Sequence, residues 1–126
     1  MKLSRSKAET ALQEAEKSNP GPWVEHSRYV AEACKNIAER CSHLSAEKAY
    51  IYGLLHDIGR YAGVSSEKHL IDGYRYCMAR GWDKEAQICI SHAFMIQDIH
   101  SSSGTFDVSE DDYRLMEILC DTAVEG

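Results

Sequence analysis

Apolar residues recur along most of this chain at the three-to-four-residue spacing of an α-helix. No run between turn signals alternates apolar and polar residues in the way that a half-buried strand would. Breaking residues, such as those of the segment SNPGP and Gly81, divide the pattern into separate stretches. The sequence therefore predicts an all-α bundle of about six helices, over residues 6–17, 22–41, 46–57, 67–79, 84–95 and 111–123.

Small polar residues stand where several of these helices are expected to begin. Ser45 and Asp83 precede the third and fifth helices, and Ser65 or Ser66 precedes the fourth. Ser109 opens the pattern Ser-x-x-Asp, a variant of the capping box that Glu or Gln usually closes. These side chains are predicted to cap the helices, and residues 97–108 are predicted to form a loop.

The second helix carries an apolar stripe spaced four, three and four residues apart, which consists of Val30, Cys34, Ile37 and Cys41. This spacing predicts that the stripe faces the core. The five cysteines are an odd number without a CxxC pair, and most lie on apolar helical stretches. They are predicted to be buried free thiols in a reducing compartment, which favours a cytoplasmic protein.

The length and charge of the chain exclude several classes of protein. The 126 residues fit one domain, residues 1–126, that is large enough to bury a core. The formal net charge of -6 argues against a broad nucleic-acid interface, although a small anionic substrate could still enter a locally positive pocket. No stretch resembles a signal peptide or approaches the roughly 20 apolar residues of a membrane span, so no membrane association is expected.

Five of the predicted helices each place a histidine or an aspartate near the interior, namely His26, His56 with Asp57, His69, His92 and Asp121. A lone histidine on an apolar face is more often a core group satisfied by a hydrogen bond. Several such groups in one interior need a common partner, which a metal ion supplies. Neutral imidazole and carboxylate ligands favour a divalent transition metal (Fe, Mn, Co, Ni or Zn) over Ca.

The order of these residues resembles the H…HD…D signature of the HD-domain superfamily of metal-dependent phosphohydrolases. The segment GLLHDIGR, residues 53–60, is similar to the apolar LLHDIGK segment of that superfamily, with Arg60 in place of the commoner lysine. The segments HLIDG and ISHAF resemble its H-x-x-x-G segment and the histidine that ends the following helix. The resemblance covers about residues 23–122 and implies an all-α HD-type bundle of five or more helices.

The resemblance implies one of two metal arrangements. In the mononuclear arrangement, one ion is bound by the residues that match His26, His56, Asp57 and Asp121. In the binuclear arrangement, the residue that matches Asp57 bridges two ions, and the histidines that match His69 and His92 hold the second. Because both extra histidines are present, we expect two divalent ions. Superfamily members often continue with more helix after the last aspartate, so this chain resembles a truncated or minimal version.

The resemblance also implies a reaction, the hydrolysis of a small phosphate ester such as a nucleotide by a metal-activated hydroxide. Asp57 is the expected bridging and catalytic group. Arg60, Lys68 and Arg75 follow the ligands closely in sequence and are candidates for binding the phosphate and neutralising the charge that develops on it, with Arg60 also a candidate catalytic residue. Their alternative role is a solvated helix surface, which is favoured more for Arg75 than for Arg60, whose planar guanidinium suits phosphate oxygens.

Four further polar residues have weaker assignments. Asp98 and Asp72 are candidates for proton transfer or for supporting the ligands, and exposed carboxylates are an equally good interpretation. His100 lies in the predicted loop and is a candidate for contact with the substrate or the second ion, although loop histidines are more often merely exposed. His43 is assigned to the surface.

Two other functions remain open at this point. Some binuclear iron members of the superfamily activate oxygen, and their ligand pattern is the same as the one in this chain. The fold also serves as a non-enzymatic sensor or interaction module, but a module that has lost activity has no need of intact ligands. The sequence does not determine the exact substrate, the metal or the oligomeric state.

Overall fold

The computed structural model describes residues 3–94 and 96–122. Its α-helices are α1 (Arg5–Ser18), α2 (Pro22–Glu39), α3 (Ala46–Leu55), α4 (Lys68–Ala79), α5 (Asp83–Ser91) and α6 (Glu110–Thr122). Short 3-10 turns cover Ile58–Ala62 and Ile99–Ser101, and no strand occurs among the described residues. The predicted all-α fold with about six helices is therefore confirmed.

Serine side chains cap three of the helices. Ser4 Oγ, Ser45 Oγ and Ser109 Oγ each accept a hydrogen bond from a backbone N–H three residues later, at 3.2, 3.2 and 3.1 Å. The predicted caps of α3 and α6 are thus confirmed. The predicted cap at Asp83 is wrong, because α5 already begins at that residue and Trp82 precedes it without a side-chain cap. The Asp83 carboxylate instead lies in the first turn, where the helix dipole favours a negative charge.

Two of the helices that end earlier than predicted carry site residues at their ends. Helix α3 ends at Leu55, so that His56 and Asp57 lie at the change from α-helix to the 3-10 turn. Helix α5 ends at Ser91 rather than at residue 95, which itself lies outside the described residues, and His92 is its C-cap residue. Histidine and aspartate are therefore presented by helix ends, where the backbone can change direction.

The predicted inward stripe of α2 is not the buried face of that helix. Ile37 is 63% exposed, whereas the buried residues are Val24, Ser27, Ala31 and Ala38. The reason is the close approach of α3, since a Cβ added to Gly53 would lie 2.5 Å from the Cα of Ala31. Only small side chains fit at this contact, so alanine occupies the interface and the larger residues of the stripe lie outside it.

Two adjoining apolar clusters hold the helices together. The first contains buried residues of α1, α2, α3, α4 and α5, with Leu12 and Leu54 at 0% exposure. The second joins α4, α5 and α6 through Leu70, Ile90 and Met116. Cys77, Cys89 and Cys120 are buried free thiols, as predicted, while Cys34 and Cys41 are only partly buried. Within the described residues, every helix is too short or too polar to traverse a lipid bilayer.

The 3-10 turn after α3 lies directly against α4. A Cβ on Gly59 would collide with the carbonyl oxygen of His69 and would lie 2.5 Å from the Gly73 backbone nitrogen. The two glycines of the segments GLLHDIGR and HLIDG therefore allow two backbones to touch. This contact brings Asp57, two residues before Gly59, next to the first turn of α4.

Candidate metal centre

Four helix ends deliver the candidate ligands to one place. His26 lies in the N-terminal part of α2, and His56 and Asp57 follow α3. His69 is the second residue of α4, and His92 immediately follows α5. Because the helices converge at these ends, residues far apart in the sequence become neighbours.

The Asp57 carboxylate lies at the centre of the four histidines. Its Oδ2 atom lies 3.2 Å from His56 Nε2 and 3.6 Å from His26 Nε2. Its Oδ1 atom lies 3.1 Å from both His69 Nε2 and His92 Nε2. Each carboxylate oxygen therefore faces its own pair of imidazoles.

Backbone carbonyls orient three of these imidazole rings. His56 Nδ1 donates to Gly53 O at 2.6 Å, His69 Nδ1 to Ser66 O at 2.6 Å, and His92 Nδ1 to Ile88 O at 3.2 Å. A carbonyl oxygen can only accept, so each Nδ1 carries a proton. In the neutral ring, Nε2 then carries the free lone pair that a metal-binding histidine needs, and when Nε2 is also protonated it can donate to Asp57 instead.

The interior of the cluster is buried, while one side of it is open. Asp57 is 7% exposed and His69 is 4% exposed. The His26 side chain, by contrast, is 56% exposed, and that of His92 is 23% exposed. The cluster thus has a fixed inner wall and an accessible side at His26.

The electrostatics of the cluster favour positive charge around Asp57. Burial raises the pKa of Asp57, but hydrogen bonds from His56, His69 and His92 outweigh burial and hold this pKa far below its ordinary value. Burial likewise lowers the pKa of His56, yet the hydrogen bond and negative charge of Asp57 raise that pKa overall. The site therefore keeps a carboxylate ionised in a buried position.

The cluster divides into two possible ligand groups that share Asp57. One contains His26, His56 and Asp57, and the other contains Asp57, His69 and His92; within each group the ligand atoms lie within 4.8 Å of one another. Imidazole nitrogens and a carboxylate oxygen suit divalent transition metals. The residues present therefore fit a metal ion, without indicating its identity or number.

Asp121, the sixth predicted ligand, lies apart from this arrangement. It is exposed on α6, and it belongs to neither ligand group. Its backbone carbonyl accepts a long hydrogen bond, of 3.5 Å, from Gln97 Nε2. The structure thus brings together five of the six predicted ligands, and a metal-binding role for Asp121 stays a prediction.

The three cationic residues predicted to bind phosphate all have protein partners. Arg60 donates to Ser65 O at 3.0 Å, and Lys68 Nζ lies 2.6 Å from the Asp72 carboxylate. Arg75 forms a two-pronged ion pair with Asp112, at 2.7 and 3.1 Å, which links α4 to α6. The positive charge of Arg60 also acts on the cluster. It lowers the pKa of His56, although Asp57 raises that pKa by a larger amount.

The remaining predicted residues lie at the surface. Asp98 Oδ1 accepts a hydrogen bond from His100 N at 2.9 Å and so caps the short 3-10 turn. Both Asp98 and His100 are exposed, and their assigned roles in proton transfer and substrate contact stay predictions. His43 is exposed, as predicted.

Sequence reasoning missed one residue that contacts the site's backbone, Asp107. Its carboxylate accepts hydrogen bonds from the backbone N–H groups of Ser66 and Lys68, both at 2.9 Å. These residues flank the beginning of α4, which carries His69. No local pattern could have identified this cap, because its acceptor comes from a loop 39 to 41 residues farther along the chain.

A comparison with models of protein families assigns the chain to a family. The family model of the HDOD domain, an HD-related output domain, matches residues 5–93. The chain belongs to the HDOD domain family. The expected relationship to the HD superfamily is therefore confirmed at this level. No curated protein and no solved structure matches the chain.

The extent of the match bears on the site. The matched part of this HDOD domain contains all five residues of the two ligand groups. Asp121 and the loop that carries Asp107 lie beyond residue 93. The four-histidine cluster thus lies wholly within the matched residues.

Proposed function

We propose that this HDOD domain binds divalent transition-metal ions at Asp57 and uses them to hydrolyse a small phosphate ester, with nucleotides as the favoured class. The observation that carries the proposal is the shared carboxylate, whose two oxygens each face a separate pair of imidazoles. A structural metal site would be closed by its ligands. Each of these groups offers three ligands, so positions remain for water and substrate.

The protein's own residues have distinct tasks in this proposal. When bound, the ions supply Lewis-acid activation of water and of the phosphoryl group. Asp57 supplies the negative charge shared by both ligand groups, and the carbonyls of Gly53 and Ser66 hold His56 and His69 in the required orientation. The exposed edge of His26 leaves a path by which a substrate reaches the cluster.

Arg60 is the favoured residue for binding the phosphoryl group. It uses one N–H group on Ser65 O, and a guanidinium has five such groups, so others can meet phosphate oxygens. Its positive charge already lowers the pKa of His56, although other causes raise that pKa overall. Lys68 and Arg75 are weaker candidates, because carboxylates of Asp72 and Asp112 neutralise them.

The test is a hydrolysis assay with protein purified without added metal and then loaded separately with Mn, Fe, Co, Ni or Zn. The substrates are a panel of nucleoside mono-, di- and triphosphates and simple phosphomonoesters. We expect release of inorganic phosphate or pyrophosphate with at least one metal, and its loss in Asp57→Asn. The control is His43→Ala, which changes an exposed histidine outside the cluster. Metal binding without hydrolysis of any substrate would overturn the phosphohydrolase proposal.

A second candidate function is a non-enzymatic output module whose metal site controls its shape. Two observations favour it, namely the match to the HD-related output domain and the pairing of Lys68 and Arg75 with carboxylates. In that case, metal binding would raise the melting temperature without phosphate release. The same assay therefore separates the two candidates.

A further inference from the structure

Helix α4 begins without a cap from its own sequence. Glu67 is its N-cap residue and makes no side-chain hydrogen bond to the helix backbone. Asp107 supplies the missing acceptor, because Oδ2 accepts from Ser66 N and Oδ1 accepts from Lys68 N, both at 2.9 Å. A carboxylate in this position satisfies N–H groups that would otherwise lack partners and also suits the helix dipole.

The loop segment around Asp107, which we call the strap (residues 102–107), makes three further contacts with the same place. Glu67 N donates to Thr105 O at 2.9 Å, and Thr105 N donates to Ser66 Oγ at 3.0 Å. The hydroxyl of Ser102 donates to the buried carboxylate of Glu67. The strap therefore fixes the backbone of residues 66–68 from several sides.

The backbone held by the strap is also the backbone that orients a candidate metal ligand. The Ser66 N–H donates to Asp107 Oδ2 at 2.9 Å, and the Ser66 carbonyl accepts from His69 Nδ1 at 2.6 Å. The opposite nitrogen of the same ring, Nε2, lies 3.1 Å from Asp57 Oδ1. A chain of direct contacts thus leads from Asp107 through Ser66 and His69 to Asp57.

We propose that Asp107 is a positioning residue for His69, and through it for the ligand group of Asp57, His69 and His92. The part of this proposal that concerns metal affinity rests on the proposed function, whereas the part that concerns ring orientation does not. Asp107 lies beyond the region that matches the HDOD family, which ends at residue 93. The strap therefore lies outside the part of the chain that the family model matches.

The expected change in metal affinity depends on how far Asp107 lies from the ion. Groups that orient a metal-binding histidine typically change metal affinity by about 10–100-fold when they are removed. Asp107 acts one step farther away, through the Ser66 peptide, so we expect about 10-fold weaker binding at the affected ion. The ion held by His26 and His56 should bind as before, because neither ligand contacts the strap in the described structure.

The first measurement is a titration of metal-free protein with Mn²⁺ or Co²⁺, in wild type, Asp107→Ala and Asp107→Asn. We expect one of two binding steps to weaken in both variants, and less in Asp107→Asn, which keeps one oxygen acceptor. The matched control is Asp112→Ala, which removes a partly buried carboxylate that also holds α4, in this case through its ion pair with Arg75. Equal weakening in Asp107→Ala and Asp112→Ala would reduce the effect to general loosening of α4 and overturn the proposal.

The second measurement needs no metal and remains informative even if the proposed function fails. Nitrogen-15 spectra of the His69 ring report which nitrogen carries the proton when the ring is neutral. We expect a pure Nδ1–H form in wild type and Asp112→Ala, and a mixture of both tautomers in Asp107→Ala. A wild type that binds no metal would contradict the proposed function alone. An unchanged His69 tautomer in folded Asp107→Ala and Asp107→Asn would contradict the positioning role.

Discussion

Gly59 packs against the main chain of His69 so closely that a Cβ on Gly59 would collide with the His69 carbonyl oxygen. This contact is what joins the turn carrying Asp57 to the helix carrying His69. It explains the use of glycine at this position without any appeal to unusual backbone angles, because Gly59 does not have a positive φ. The assembly of the site therefore depends on the absence of one methyl group.

Gly59→Ala should separate the turn from α4 and disrupt the ligand group of Asp57, His69 and His92. We expect a loss of unfolding free energy of about 1–3 kcal/mol, as for overpacked cores, together with loss of one bound ion. Chemical denaturation and metal analysis measure the two effects. The control is Gly63→Ala, which has open space around the added methyl and costs only the strain of a positive φ. Full metal binding by Gly59→Ala would contradict this explanation.

The face of α2 that packs on α3 gives a second prediction. Ala31→Leu should destabilise the protein strongly, because Ala31 is fully buried against Gly53. Ile37→Ala should change the unfolding free energy by less than about 1 kcal/mol, since the Ile37 side chain is mostly exposed. The two variants together test the orientation of α2. A larger cost for Ile37→Ala than for Ala31→Leu would indicate that the apolar stripe of Ile37 faces the core after all.

The raised pKa of His56 gives a prediction for the metal-free protein. Its folded pKa lies above the ordinary value of 6.5, because Asp57 outweighs the opposing effect of burial. The protonated ring therefore contributes stability below pH 6.5, and this contribution is lost as the pH rises through the folded pKa.

Urea unfolding of metal-free protein at a series of pH values tests this sign. We expect the unfolding free energy to decline above about pH 6.5, and the decline to flatten in Asp57→Asn, which lacks the charge that raises the pKa. Metal binding should strengthen over the same pH interval, because imidazole ligands must lose their protons. A metal-free protein that becomes more stable between pH 6.5 and 8 would refute the assignment.

The helices and five members of the cluster could be predicted from sequence. The helices have a local pattern, and the cluster residues occur in a recognisable order along the chain. Periodicity and breaking residues give the helices, and His26, His56, Asp57, His69 and His92 follow the order of a known superfamily. Their convergence on Asp57 then follows from helix ends that meet. The separation of Asp121 from both ligand groups had no such signal, since it depends on how α6 packs.

The face of α2 and the role of Asp107 could not be predicted, for different physical reasons. Ala31 and Ala38 follow Val30 and Ile37 by one position, so both sets have the same helical period. Only the close contact with Gly53 decides that the smaller set is buried. Asp107 acts across a separation of about forty residues, where neither periodicity nor a capping pattern extends.

If Asp57 is shared by two metal ions, as we propose, the number of ions bound per chain should show it. Protein loaded with excess Mn²⁺ or Fe²⁺ and then desalted is analysed for metal per chain by elemental analysis. We expect two ions for wild type and for the surface control His43→Ala, and one ion for His26→Ala or His69→Ala. Asp57→Ala should bind none and should lose about 3 kcal/mol of stability, because four histidines lose their shared anion. A wild type that binds a single ion, or an Asp57→Ala variant that retains the full wild-type metal content, would contradict the shared site.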